Sequence, residues 1–165
     1  MKKIPLTRGL FATVDDDDYD ALMKQKWRAV ASNHTFYALG STRRKDSPEY
    51  RQHALFMHRV VNKTPEGFYT DHINGDGLDN RKCNLRTCSP QENNRNRRAK
   101  KGSKSKFKGI VWRPKIKRWE AKAVIDKKYY YLGSFVNEID AANAYNEFAR
   151  NNFGEFCYKN KGEDK

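Results

Sequence analysis

Apolar residues return along this chain in two rhythms, one helical and one alternating. Phe11-Ala12-Thr13-Val14 is β-prone, and Asp15 to Asp18 then place carboxylates where a helix N-terminus attracts them. Tyr19, Leu22, Met23 and Trp27 follow at helical spacing and predict one buried face. Four adjacent Asp side chains on a helix cannot converge on one ion, so helix capping and charging is the reading of the acidic run. Asn33 to Leu39 and Gln52 to Met57 read as strands around a polar loop rich in Arg and Lys. Phe68 to Ile73 is another β-prone run, closed by the turn signal Asn74-Gly75-Asp76-Gly77, and Asn84 to Thr87 is a short strand after it. Ser89-Pro90-Gln91-Glu92 then sets Ser at an N-cap, Pro at the first helical position and Glu at the third, a capping box. The order is strand, loop, strand, helix, with Asn93, Asn96 and Arg97 on one helix face.

Downstream, residues 100–106 contain no apolar side chain and are rich in Gly, Ser and Lys, the composition of a self-repelling linker. That predicts a first region over 1–99, a basic linker over 100–106, a second module over 107–160 and a tail over 161–165. In the second module Lys108 to Arg113, Arg118 to Ile125 and Lys128 to Leu132 read as three strands. The middle one alternates, with Trp119, Ala121, Ala123 and Ile125 on one face and Glu120, Lys122 and Val124 on the other. A helix follows, capped by Asn137 and stopped by Gly154, and its Ala141, Ala142, Tyr145, Phe148 and Ala149 form a stripe that lets it lie close on the sheet. The other sheet face, with Lys108, Arg113, Lys122, Tyr129 and Tyr131, is then basic, aromatic and open.

Charge narrows the function. The 165 residues carry 34 Lys and Arg against 20 Asp and Glu, a formal net charge of +14. Between Arg81 and Lys122 the basic residues number 16 and the acidic ones two, so this stretch holds the whole excess. A positive field so concentrated, with aromatic residues inside it, fits the phosphate backbone of nucleic acid better than a solvated tail; RNA would use the same charge, but no RNA-recognition signature is present. The chain has no apolar run long enough for a membrane span and no secretory apolar core near Met1, which predicts a DNA-associated protein inside a cell, cytoplasmic and not secreted. Three cysteines in that setting argue against a disulfide framework.

Met57-His58-Arg59-Val60-Val61, Asp71-His72-Ile73-Asn74-Gly75, Asp79-Asn80-Arg81, Asn84-Leu85-Arg86 and Glu92-Asn93 together resemble the HNH nucleases, in particular their phage and intron-homing branch. The resemblance covers about 53–98 and implies a ββα-metal fold. It also implies roles: Asp71 and Asn93 as metal ligands, His72 as general base, and Asn84 as the residue that orients His72. Asn93 stands where the family's name-giving second histidine falls, a substitution usual in the homing branch. The residues support this chemistry by themselves. A carboxylate and an amide oxygen make a hard ligand pair suited to Mg²⁺ or Mn²⁺, and a histidine beside them can take a proton from water near neutral pH. Asp71 and His72 are adjacent on a strand, so both serve one site only if the strand twists or bulges. Taken singly, Asp71 reads as a turn cap and His72 as a core imidazole; with Asn84, the capping box and Asn93, the set reads as a catalytic site. An EF-hand reading of the loop fails, because Ile73 and Gly75 would fall at ligand positions. His58 reads as structural or as a second group near the site. Cys83 and Cys88, with four residues between them and so in the wrong pattern for zinc pairs, read as buried free thiols, with a structural zinc shared with histidines such as His53 as the alternative.

Phe107-Lys108-Gly109-Ile110, Arg113-Pro114, Trp119-Glu120-Ala121, Tyr131-Leu132-Gly133-Ser134-Phe135 and Ala141-Ala142-Asn143-Ala144-Tyr145 resemble the DNA-binding domain of plant Apetala and ethylene-response factors. That resemblance implies a three-stranded sheet entering the major groove. Lys108 and Arg113 match basic contacts and Tyr131 matches a contacting Trp, whereas Val111, Val124 and Tyr129 stand where Arg is common. Lys122, Tyr129 and Arg97 complete the expected contacts to double-stranded DNA. The expected class is α+β, a ββα-metal core followed by a small antiparallel sheet on one helix. The expected function is a site-specific, metal-dependent endonuclease leaving 5′-phosphate and 3′-hydroxyl ends. A non-catalytic DNA-binding regulator on the same scaffold is the rival.

Overall fold

The computed structural model describes residues 1–32, 34–43 and 52–160. Asn33, the predicted polar loop across 44–51, the side chain of His53 and the tail 161–165 lie outside those residues. The chain forms two compact units, Met1–Asn93 and Asn94–Lys165. The division falls upstream of the basic stretch 100–106.

The first unit begins with an antiparallel pair, β1 (Lys2–Pro5) and β2 (Phe11–Val14), followed by α1 (Asp16–Met23). The expected helix to Trp27 ends early, where the polar Lys24-Gln25-Lys26 follows Met23. Trp27 is buried all the same, its Nε1 donating to the Leu22 carbonyl at 2.8 Å, while Met23 is exposed. The acidic run does more than charge the helix. Asp15 makes no side-chain cap bond; its carboxylate accepts from the Lys82 backbone N–H at 2.8 Å, and Asp18 pairs with Lys82 Nζ at 3.0 Å.

An antiparallel sheet follows, in the order β3 (Arg28–Ala31), β4 (Phe36–Arg43), β5 (Gln52–Phe56). The short helix α2 (Met57–Val61) leads to β6 (Tyr69–His72), which pairs antiparallel with β7 (Leu85–Cys88) before α3 (Pro90–Asn96). The capping box forms: the Ser89 N–H donates to Glu92 Oε2 at 2.8 Å and the Glu92 N–H to Ser89 Oγ at 3.3 Å. One core made of Ile4, Val14, Leu22, Trp27, Met57 and Leu85, among others, joins the N-terminal hairpin, the middle sheet and the β6–β7 pair. The N-terminal segment is therefore part of the same body as β6 and β7, and its apolar burial stabilises that pair.

The second unit has the sheet order β10 (Lys128–Phe135), β9 (Arg118–Ile125), β8 (Ile110–Arg113), with α4 (Glu138–Phe153) packed on it. Asn137 caps α4, its Oδ1 accepting from the Ile139 N–H at 2.9 Å. Ala121 and Ala123 of β9 meet Ala141, Ala142, Tyr145 and Ala149 of α4, small side chains that allow a close helix–sheet approach. Gly109, at φ 79°, is required there, because a Cβ would strike the Tyr145 ring and the Lys122 carbonyl.

Candidate active site

The site is built on the end of β6 and on the loop it enters. Thr70, Asp71 and His72 are all buried, so both faces of this short strand are covered. The β6–β7 register runs without a break from Tyr69 opposite Cys88 to His72 opposite Leu85. Asp71 and His72 thus alternate across the strand with no bulge between them, so of the twist or bulge that would let both serve one site only a twist is left; the Asp71 carboxylate is near enough to the imidazole to oppose the lowering of its pKa.

Asp71 lies directly across from Arg86. Arg86 donates through Nε at 2.9 Å and through an Nη at 2.7 Å to the same carboxylate oxygen, Oδ2. His72 sits in a cluster of rings. Its centroid is 5.0 Å from His58, edge-on at 89°, and 5.7 Å from Tyr37. His58 in turn stacks on Phe56 at 5.2 Å and meets Tyr37 edge-on at 5.4 Å. Burial lowers the His72 pKa from its ordinary value, opposed by Asn80 and by the carboxylates of Asp71, Asp76 and Asp79. Burial also pushes His58 down to about 3, helped by His72 and Arg59. Both imidazoles are therefore neutral at physiological pH, the form that accepts a proton. His58, for which the sequence left two readings, edges onto the His72 ring.

Asn84 reaches His72 through the backbone. The Asn84 carbonyl accepts from the Ile73 N–H at 2.9 Å, and its side-chain Oδ1 accepts from the Asn74 N–H at 3.0 Å. Its Nδ2 donates to Asn74 Oδ1 at 3.0 Å and to the Asp79 carbonyl at 2.8 Å. His72 Nε2 lies 3.5 Å from Oδ1 of the fully buried Asn80. Asp79 is clamped by Arg81 through Nε and Nη2, both at 2.7 Å, which holds its carboxyl below the usual range. The Asn80 N–H donates to the Thr13 carbonyl at 2.8 Å, so the N-terminal hairpin grips this loop. Sequence reasoning gave no role to Asn80, Tyr37 or Arg86. Tyr37 carried no local signal, lying on a strand far upstream; Arg86 was visible as part of the Asn-Leu-Arg run and was passed over.

Asn93 lies on α3, half-buried, with its N–H donating to the Ser89 carbonyl at 3.0 Å. Among the described residues no three His, Cys, Asp or Glu side chains converge on a metal position. A buried carboxylate with a helix-borne amide nevertheless fits a hard divalent cation, which takes one or two protein oxygens and completes its shell with water and phosphate. Cys83 is exposed rather than buried, and Cys88 is buried with its thiol pushed up to about 11.

On the second unit, Tyr129 and Tyr131 stand 79% and 66% exposed, on the same face of the sheet as Lys122 and Val124. Arg113 Nε pairs with Glu120 Oε2 at 2.6 Å on that face. Lys108 is not on the open face, which corrects the sequence expectation: it precedes β8, and its Nζ donates to the Asn94 and Arg95 carbonyls at 2.6 Å each, capping the end of α3. Arg97 falls just past that helix, exposed, with Nη1 3.1 Å from Asn94 Oδ1. Among the described residues no helix is long and apolar enough to cross a membrane.

A family model described as HNH endonuclease matches residues 53–95, from β5 to the second turn of α3. An uncharacterized HNH endonuclease of Acanthamoeba polyphaga mimivirus is 31% identical over 158 residues, spanning 93% of this chain and 76% of that protein. Protein 3.8 of Escherichia phage T7 is 30% identical over 84 residues, 51% of this chain and 69% of the phage protein. No solved structure matches the chain significantly. The chain belongs to the HNH endonuclease family.

Proposed function

We propose that this protein is a site-specific, metal-dependent DNA endonuclease of the homing or phage type, with its chemistry in the first unit and its DNA-reading surface in the second. The observation that carries the reading is the buried Asp71–His72 pair on β6, in a chain of the HNH endonuclease family. The β6–β7–α3 order is that of a ββα-metal core. His72, neutral in its ring cluster, takes the proton from an attacking water. The water oxygen bonds to phosphorus as the bond to the 3′ oxygen breaks, leaving a 5′-phosphate and a 3′-hydroxyl once the leaving oxygen is protonated. Asp71 and Asn93 would hold one Mg²⁺ or Mn²⁺, which supplies charge neutralisation at the phosphoryl oxygens. Asn84 keeps the loop after His72 in shape through its three side-chain hydrogen bonds, and Asn80 and Tyr37 fix the plane of the base. The C-terminal sheet resembles the Apetala and ethylene-response domain, and Tyr129, Tyr131, Lys122 and Arg113 are its DNA contacts, with Arg97 an added phosphate contact.

The test is cleavage of supercoiled plasmid by the full chain in Mg²⁺ or Mn²⁺, with a chelator as control. Linear or nicked product that disappears with chelator supports the reading. Tight DNA binding with intact plasmid in both metals would instead establish the regulator.

A further inference from the structure

The partner of Asp71 carries an inference about how the site takes up its metal, one that rests on the metal-dependent reading above. Arg86 and Asp71 face each other across β6 and β7, and their side chains are only 11% and 8% exposed. An isolated carboxylate so buried is costly, and the guanidinium relieves that cost by delivering two N–H groups to Oδ2. The same oxygen belongs to the carboxylate that a divalent cation would need. A guanidinium and a dication drawn to one carboxylate repel each other, and each draws on the same negative charge.

We infer that Arg86 is a gate on metal loading: it and the metal are competing partners of the Asp71 carboxylate, so that the guanidinium held on Oδ2 weakens the cation's hold on the site. Arg86 is then a positioning residue that keeps the carboxylate aimed while lowering the site's affinity for metal. A purely structural Arg86 makes the opposite prediction. If the guanidinium only held Asp71 in the right place for the metal, its removal would weaken metal binding.

Electron paramagnetic resonance of free Mn²⁺ distinguishes the two without any need for turnover. The full-length wild type and Arg86→Met are compared by titration at one pH and ionic strength with two controls, Asp71→Ala and the double variant Arg86→Met with Asp71→Ala. Arg86→Met should bind Mn²⁺ about tenfold more tightly than the wild type, and the gain should vanish when Asp71 is also removed. Arg86→Lys, which keeps the charge but not the fork, should fall between. Equal or weaker Mn²⁺ binding by Arg86→Met overturns the gate, as does tighter binding that survives the loss of Asp71. If melting curves show Arg86→Met unfolded, the comparison of Arg86→Lys with wild type decides in the same way. A wild type that binds Mn²⁺ but cuts no DNA would sink the nuclease reading and leave this comparison standing.

Discussion

The loop after β6 and the outer face of the β8–β10 sheet both carry polar and charged residues and use them in opposite ways. In the loop, polar groups are spent on one another: Asn74, Asp76, Asp79, Arg81 and Asn84 bond among themselves and to the backbone. On the sheet, Tyr129 and Tyr131 are left at the surface, and the residues that do pack inward are alanines and rings. A hydrogen-bonded network closed around the buried Asp79 and Asn84 rigidifies what it surrounds, which suits a base whose ring must hold one plane. An exposed aromatic surface with cations beside it has its binding capacity unspent, which suits a partner that arrives from solution.

Changes at the proposed metal ligand Asn93 should separate the regions most sharply. Asn93→Ala is expected to lower cleavage in Mg²⁺ about a hundredfold, with partial recovery in high Mn²⁺, and to leave DNA affinity within a few-fold. A proportional fall in affinity would mean that α3 docks DNA rather than metal. A smaller but still large effect is expected on stability. Asn84→Ala removes three hydrogen bonds from a buried loop and should cost about 2–3 kcal/mol in urea unfolding of the first unit, while hydrogen exchange in α4 stays unchanged.

Acid should act on the same region. The His58 pKa is depressed to about 3 and that of His72 is also depressed, so the unfolded chain takes up protons that the native one refuses. Stability is fully present above about 6.5, the ordinary histidine value, and falls as pH drops toward 3. His58→Gln should flatten that dependence in a melting series; an unchanged slope would place the acid sensitivity elsewhere. The smallest effect falls on the sheet. Tyr131→Ala should weaken DNA binding about five- to tenfold and leave the metal requirement intact.

The sequence made the order strand, loop, strand, helix legible because turn chemistry and a capping box are local signals. The β9 alternation and the Ala stripe of α4 were legible for the same reason. What it concealed depends on distance along the chain. Tyr37 reaches His72 from β4, and Asp15 reaches the backbone of Lys82, contacts that no local pattern encodes. The length of α1 was overestimated because Trp27 continues the helical spacing while its indole folds back to the Leu22 carbonyl. Lys108 matches a basic contact of the resembled DNA-binding domain, yet β8 begins two residues after it and its side chain turns to the end of α3.

The central claim, chemistry on His72 and affinity on the sheet, is tested most directly by single-turnover cleavage at saturating protein for wild type, His72→Ala and Tyr131→Ala. His72→Ala should cut at least about a hundredfold more slowly with its DNA affinity kept within a few-fold, whereas Tyr131→Ala at saturation should cut at the wild-type rate. Undiminished cleavage by His72→Ala would contradict the account.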